Sequence, residues 1–359
     1  MKNRPFLGFL LLLFQIILVQ ILGFFPAFVE KFYSNGIYPV IAETSRILLG
    51  WIPFSIGDLA YFIVGFLIMK WIVNFFRTAK TWKTAASEIG WSLSIFYFLF
   101  HFFWAFNYYR EPLFEKMAIE KEYSDADLLR FTKQMIAKTN SIQIAITNNP
   151  NEKVISTLSQ SEIFEKCPDG YQKLSERHAF FAYENASIKK SIISLPLSYM
   201  GFSGYLNPFT NEAQVNDRIP VINFPFTTCH EMAHQIGYAS ESEANFIGFL
   251  AVTKNENLYF KYAGYSTALR YCMRNWEVRN PTLGKELWNE INPGVRQNFE
   301  ESALHWQQYE SFVEDGFKFF YDNFLKINQQ EEGLESYSKF LNLLINYAKN
   351  NSIVGEVGK

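Results

Sequence analysis

Unbroken apolar runs fill the first hundred or so positions, and periodic ones fill the rest, with the change near residue 110. Phe6 to Phe28 has no charge over about 23 residues, enough to cross a hydrocarbon layer of roughly 30 Å. Lys2 and Arg4 precede it and no small-residue cleavage site follows, so an anchor is predicted rather than a cleaved leader. Tyr33 to Pro53 mixes Ile37, Val40, Leu48 and Trp51 with Glu43 and Arg46, the pattern of a helix lying on the outer membrane surface. Ser55 to Phe76 predicts a second span, with Asp58 and Lys70 near its ends as interface residues. Ile89 to Tyr108 predicts a third, dense in Phe and Trp, in which His101 is a hydrogen-bonded packing residue.

Beyond Arg110 the pattern changes. Glu111 to Ser141 reads as helix, with a start signal at Ser124-Asp125-Ala126-Asp127. Ile142 to Ile146 alternates and predicts a strand, and Ser191 to Leu195 a second one stopped by Pro196. Gly201 to Asn216 is loop-rich, and from Glu241 onward the pattern is helical almost throughout.

Charge refines this picture in two ways. Arg77, Lys80 and Lys83 lie between the second and third spans, which by the positive-inside rule puts that loop and the N-terminus in the cytoplasm. The chain is then a multi-pass protein of the cytoplasmic (inner) membrane. Its membrane domain covers 1–110, and its domain at 111–359 is extracytoplasmic, facing a periplasm where the cell has one. A net charge of −2 argues against nucleic acid as a partner, leaving the lipid bilayer as the one that composition supports. Three cysteines, Cys167, Cys229 and Cys272, are an odd number and not a disulfide framework, although a single pair stays open.

The candidate chemistry lies in Cys229-His230-Glu231-Met232-Ala233-His234, which contains HExxH in a chain with only five histidines. Four residues apart on a helix, His230 and His234 stand on one face and can offer two imidazole nitrogens to one metal ion. Glu231 reaches the edge of the same site as a general base, the arrangement of zinc peptidases. A third ligand is needed to leave one position open. Ser240 stands where a metzincin would have its third histidine. Glu241 follows it, and Glu243 competes both as a ligand and as the N3 member of a Ser240-x-x-Glu243 capping box. Gly237 is expected to end the first helix in a left-handed conformation, and Cys229 to be buried off the metal-facing side.

Glu241-Ser242-Glu243-Ala244-Asn245 resembles the third-ligand helix of glutamate zincins. That resemblance implies Glu241 as zinc ligand and Asn245, where those families carry Asp, as the residue supporting a ligand imidazole. It also implies an upstream edge strand that pairs with an extended peptide or protein substrate, here Gly204–Asn216, and an oxyanion-stabilising side chain, for which His305, Tyr321 and Tyr337 are candidates. More of the chain bears a second likeness. Gly204-Tyr205-Leu206-Asn207-Pro208-Phe209-Thr210, HEMAHQIGYASESEANF and Tyr321-Asp322-Asn323-Phe324-Leu325-Lys326 resemble the domain-of-unknown-function 3810 family of bacterial membrane proteins, a presumed zinc-dependent peptidase group. The expected fold is α+β and predominantly helical, with three N-terminal transmembrane helices before a zincin-like domain containing a small sheet. The expected function is a membrane-anchored zinc metallopeptidase. The rival expectation is a non-catalytic zinc-binding, membrane-tethered interaction module.

Overall fold

The protein is described here from a computed structural model covering residues 6–78, 80–328 and 337–351. Lys2 and Arg4, the Glu332–Ser336 segment and the side chain of Tyr337 lie outside the described residues. The chain is predominantly helical with one three-stranded sheet.

Helix α1 spans Leu7–Leu22. Sixteen residues at 1.5 Å each make a rod of about 24 Å, short of a bilayer core. The chain then bends by 102° into a helical stretch over Pro26–Leu49. That stretch comprises α2 (Pro26–Val29), a π-helical segment (Glu30–Ile37) and α3 (Tyr38–Leu49). Helix α4 (Ile56–Arg77) is the one described helix that is by itself long and apolar enough to cross a membrane. The bent α1–α3 pair passes only as a unit, and α5 (Trp82–Phe103), diluted by Glu88, Ser92, Ser94 and His101, does not. One or two membrane-crossing helices are therefore supported, against three expected.

A short helical turn over Ala105–Tyr109 leads to α6 (Leu113–Lys116), α7 (Asp125–Thr147) and α8 (Gln160–Ser175). The strand expected at Ile142–Ile146 is the last turns of α7. Met135, Thr139 and Ile142 are buried and Ile146 packs against the same core, so the 3.6-residue stripe begun at Leu128 runs on, ending at a left-handed Asn148. The helix expected from Glu111 correspondingly starts late, at the capping box of Ser124 with Asp127.

Strand β1 is Ile188–Lys190, just before the strand expected at Ser191–Leu195; that segment instead enters α9 (Ser194–Tyr199). Pro196 sits in its first turn, where no helical N–H is required. The loop-rich stretch forms a hairpin, β2 (Gly204–Asn207) and β3 (Glu212–Val215). β3 is the buried centre of the sheet, parallel to β1 and antiparallel to β2, so only β2 of the Gly204–Asn216 segment presents an edge. Then come α10 (Phe224–Gln235), α11 (Glu241–Lys254), α12 (Leu258–Arg279), α13 (Pro281–Asn289), α14 (Pro293–Gln307), α15 (Phe312–Ile327) and α16 (Tyr337–Asn350). The main core joins α7, α8, α10, α11, α12 and α16; a second, smaller core joins Val19, Tyr38 and Trp104 to Leu206 of the sheet.

The apolar N-terminal segments also make buried polar contacts with the rest of the chain. Asp58, expected at a lipid interface, is fully buried; its carboxylate accepts bonds from Ser191 Oγ, the Ile192 amide and the Tyr205 hydroxyl. Glu212 of β3 in turn accepts from the Ile56 and Gly57 amides, placing a carboxylate on the N-terminus of α4, where the helix dipole favours it. Helix α3 is likewise wedged against the β2–β3 turn and the end of α10. Tyr38 is buried and its hydroxyl donates to the Gln235 carbonyl at 2.9 Å, and Arg46 donates to Asn211 Oδ1 at 2.9 Å. His101 is buried with Nδ1 3.0 Å from the Tyr97 carbonyl, as expected. The three cysteines are buried and free.

Arg110 ties these parts together. It forks onto Glu30 with two bonds of 2.9 Å and donates to the Gly237 carbonyl at 2.7 Å, in the turn after α10. Burial opposes ionising Glu30, but Arg110 and Lys116 hold its carboxyl down at about 2. Removing one partner of a buried pair leaves the other charge stranded, which costs about 3–5 kcal/mol. Arg110→Met should lower stability by that amount in thermal unfolding of the detergent-solubilised chain. A loss under about 1 kcal/mol, the scale of a solvent-exposed pair, would mean that Lys116 alone suffices for Glu30.

Candidate metal centre

Helix α10 is buried along nearly its whole length, so its polar residues must find partners inside the protein. His230 and His234 lie one turn apart with their Nε2 atoms 3.1 Å from each other. The chain then reverses at Gly237, whose φ of +91° is the expected left-handed stop; a β-carbon there would also come within 2.9 Å of the Tyr38 ring. The reversal delivers Glu241, the first residue of α11, back onto the imidazoles. Its Oε2 is 3.2 Å from His230 Nε2 and its Oε1 3.7 Å from His234 Nε2. Ligands at about 2.0–2.1 Å around a tetrahedral ion stand about 3.3 Å from one another. The two Nε2 atoms and the Glu241 carboxylate stand near that spacing, His230 facing one carboxylate oxygen and His234 the other.

Tautomers point the same way. His234 Nδ1 lies 2.7 Å from the Tyr238 carbonyl, which can only accept, so Nδ1 carries the hydrogen and the neutral ring turns a bare lone pair on Nε2 toward Glu241. Burial disfavours charging His234, yet the Glu241 carboxylate beside it lifts the imidazole to about 9. Burial likewise pushes Glu241 upward, and the two imidazoles outweigh it, holding the carboxyl well below its usual range. The cluster is built to hold positive charge between imidazole and carboxylate, and a metal ion would take the place of the proton.

Glu231 is only 3 % exposed. Burial pushes it up to about 7 against the pull of the two imidazoles, with the Glu241 charge adding to the rise. Its Oε2 has no hydrogen-bond partner among the described residues. His230, Glu231 and His234 have donor atoms within 4.8 Å of one another, a set that could hold a metal ion. Glu241 comes closer to both Nε2 atoms than that limit, so its carboxylate borders the same cluster.

Two expectations are corrected. Glu243 faces away; its Oε1 accepts from the Leu113 amide at 2.6 Å, capping α6. The capping box does not form, since the Ser240 hydroxyl pairs with Ser242 instead. Asn245 supports neither imidazole, for its amide points to the Tyr271 hydroxyl at 3.5 Å. The support for His234 comes instead from a main-chain carbonyl, which no side-chain pattern announces, and His230 Nδ1 has no partner among the described residues. Cys229 is fully buried, and the Tyr171 hydroxyl donates to its carbonyl.

Of the oxyanion candidates, Tyr321 reaches the site, donating to Glu241 Oε1 at 2.6 Å. His305 packs on Trp306 and Tyr309 and bonds to Gln308, none of them site residues. The residues the sequence left unmarked come from the membrane-proximal side and the sheet. Trp104 sets its ring at 90° to His234, with centroids 5.9 Å apart. Gly204 lies so close to Glu231 that a β-carbon would come 2.7 Å from Oε1 and 2.7 Å from the Gln214 carbonyl. A lone glycine in a strand pattern was the available signal for that approach.

Neither the curated proteins nor the solved structures include a match to this chain. The sequence model of the family described as "Protein of unknown function (DUF3810)" matches residues 33–345, which takes in α3, α4, α5, the sheet and the whole His230–Glu241 cluster, and the chain belongs to that family.

Proposed function

We propose that this protein is a membrane-anchored zinc metallopeptidase whose site faces the extracytoplasmic side. The observation that carries the proposal is the convergence of His230, His234 and the Glu241 carboxylate, with a buried Glu231 beside them whose Oε2 has no partner among the described residues. His230 and His234 would hold zinc through Nε2 and Glu241 through its carboxylate. When bound, the ion would supply Lewis acidity toward a carbonyl and toward water. Glu231, raised toward neutrality by its burial, accepts a proton from the attacking water and returns it to the leaving amine. A structural site would fill all four positions with Cys or His and would not place an unpaired carboxyl at its edge, which is why we rank the non-catalytic module second.

Strand β2 suits the role of substrate edge. Ser203 accepts from the Asn216 amide, so by the antiparallel alternation Tyr205 and Asn207 bond to β3 while Gly204 and Leu206 turn their N–H and C=O groups to the free side. An extended peptide added there would run past Glu231. The proposed topology is three spans with the N-terminus cytoplasmic. It is supported by α1 packing along α5, where Ser94 bonds to Gln15, and by the Arg77–Lys83 loop at the end of the α4–α5 hairpin remote from the site.

Metal analysis of the purified full chain should find one zinc per molecule. His230→Ala and Glu241→Ala should abolish it, whereas Glu243→Gln should retain it; loss in the Glu243 variant would shift the ligand assignment. With a peptide library as substrate, Glu231→Gln should keep the metal and lower turnover by about 10²–10⁴-fold, the usual worth of a general base. Undiminished turnover in that variant would remove Glu231 from the chemistry. Gly204→Ala should likewise keep the metal yet cut turnover at least about tenfold, a barrier change of about 1.4 kcal/mol, because the added methyl displaces Glu231. Unchanged kinetics would show that β2 gives way without moving the base.

A further inference from the structure

Helix α15 has three flanks. One faces inward: Tyr321 bonds to Glu241, Phe324 packs on Phe100 and Tyr108, and Leu325 is buried. A polar flank carries the pairs Lys318–Glu314 and Lys326–Asp322 at i,i+4 spacing. On the remaining flank Phe312, Phe319, Phe320 and Ile327 are 87 %, 75 %, 64 % and 68 % exposed, as bare as Phe66 (68 %) in the middle of α4. Water does not favour so many large apolar side chains along one short helix, and a contiguous apolar flank of this kind marks a binding surface.

We infer that this flank of α15 is seated in the outer leaflet of the lipid bilayer, so that the helix is an interfacial lid joining the membrane surface to the metal centre. The argument is continuity. Phe100 lies within the last turn of α5, at the end that enters the outer domain, so the contact with Phe324 puts α15 at the depth of the membrane boundary. Phe320 stands one turn before Phe324 on the side of the helix turned toward α5. Phe96, on the same α5 face as Phe100, is 55 % exposed, and its ring also meets Phe209 of the β2–β3 turn. The apolar surface of α5 thus runs unbroken onto α15, and an amphipathic helix at that level buries its apolar flank about 5–10 Å into the headgroup boundary. The inference goes beyond the peptidase reading, and its test does not use activity.

The three native cysteines are buried, so a single introduced cysteine can be labelled. The full chain carrying Phe319→Cys would be labelled with an environment-sensitive fluorophore and reconstituted into phosphatidylcholine–phosphatidylglycerol vesicles. Phe312→Cys would repeat the test, Lys318→Cys would report the polar flank and Phe66→Cys the middle of α4. We expect lipid spin-labelled near the headgroup to quench positions 319 and 312 several-fold more than aqueous iodide does, with the order reversed at 318. Position 66 should answer only to a spin label deep in the acyl chains. Iodide quenching at 319 and 312 would show a face bare to water and overturn the inference. Protection from both quenchers would show a face covered by protein, such as a second copy of this chain, and would overturn it equally. An unquenched position 66 would remove the membrane placement on which the inference rests.

Discussion

Everything at the site depends on a reversal of the chain within five residues, Ile236 to Ser240, that returns Glu241 to the imidazoles it has just left. A carboxylate and two imidazoles meeting in a buried setting is a costly arrangement unless the charges are held at short range. The turn is therefore held from outside itself. Arg110 takes the Gly237 carbonyl, Tyr38 takes the Gln235 carbonyl, and the Tyr238 carbonyl fixes His234. The Gln235 carbonyl is one that the end of α10 leaves without a helical partner, and the Gly237 carbonyl lies in the turn just beyond. Satisfying these two with Tyr38 and Arg110 makes the segment before residue 111 part of the site's scaffold.

That dependence explains why the sheet sits where it does. β2 lies between α10, which it approaches at Gly204, and the start of α4, which it meets through Tyr205 and Asp58. Glu212 caps α4 from the neighbouring strand. A displacement of α4 would be felt at the strand that backs Glu231, with two buried carboxylates as the linkage. The division at residue 110 separates apolar runs from periodic ones, but hydrogen bonds and the smaller core cross it repeatedly.

What could be read from the sequence follows from which signals are local. His230, Glu231 and His234 share a helix, so their juxtaposition needs only the helical repeat, and Gly237 announces its own turn. Glu241 over Glu243 was legible only through resemblance; the structure gives the reason, which is that Glu243 has a competing amide at Leu113, 130 residues away. Asn245 shows the opposite error, since a pattern borrowed from other families gave it an imidazole and this chain gave that imidazole a backbone carbonyl. Ile142–Ile146 misled because alternation over five residues fits a strand as well as it fits the end of a helical stripe, and only the stripe upstream decides. Asp58 and Arg46 were expected at the membrane surface and are instead buried against protein, because a charge beside an apolar run looks the same facing lipid headgroups or a protein's underside.

On the proposed reading, the electrostatics around the site follow from unequal partnership among the three acids of α10 and α11. Glu241 has both imidazoles and the Tyr321 hydroxyl, and is held ionised. Glu243 has one amide and the more distant Arg110, and burial raises it. Glu231 has the least, burial without a direct bond on Oε2, and is lifted to about 7. A carboxyl that the fold declines to satisfy, next to two that it does, is the one whose proton moves most freely near neutrality. Tyr321 adds the remaining asymmetry. Burial and the adjoining Glu241 charge keep its hydroxyl protonated, so it donates to Glu241, and the helix that carries it is the one whose outer flank we place in lipid. The hydroxyl beside Glu241 and the flank we place in lipid thereby belong to one helix, so a displacement of α15 would move the Tyr321 hydroxyl relative to Glu241.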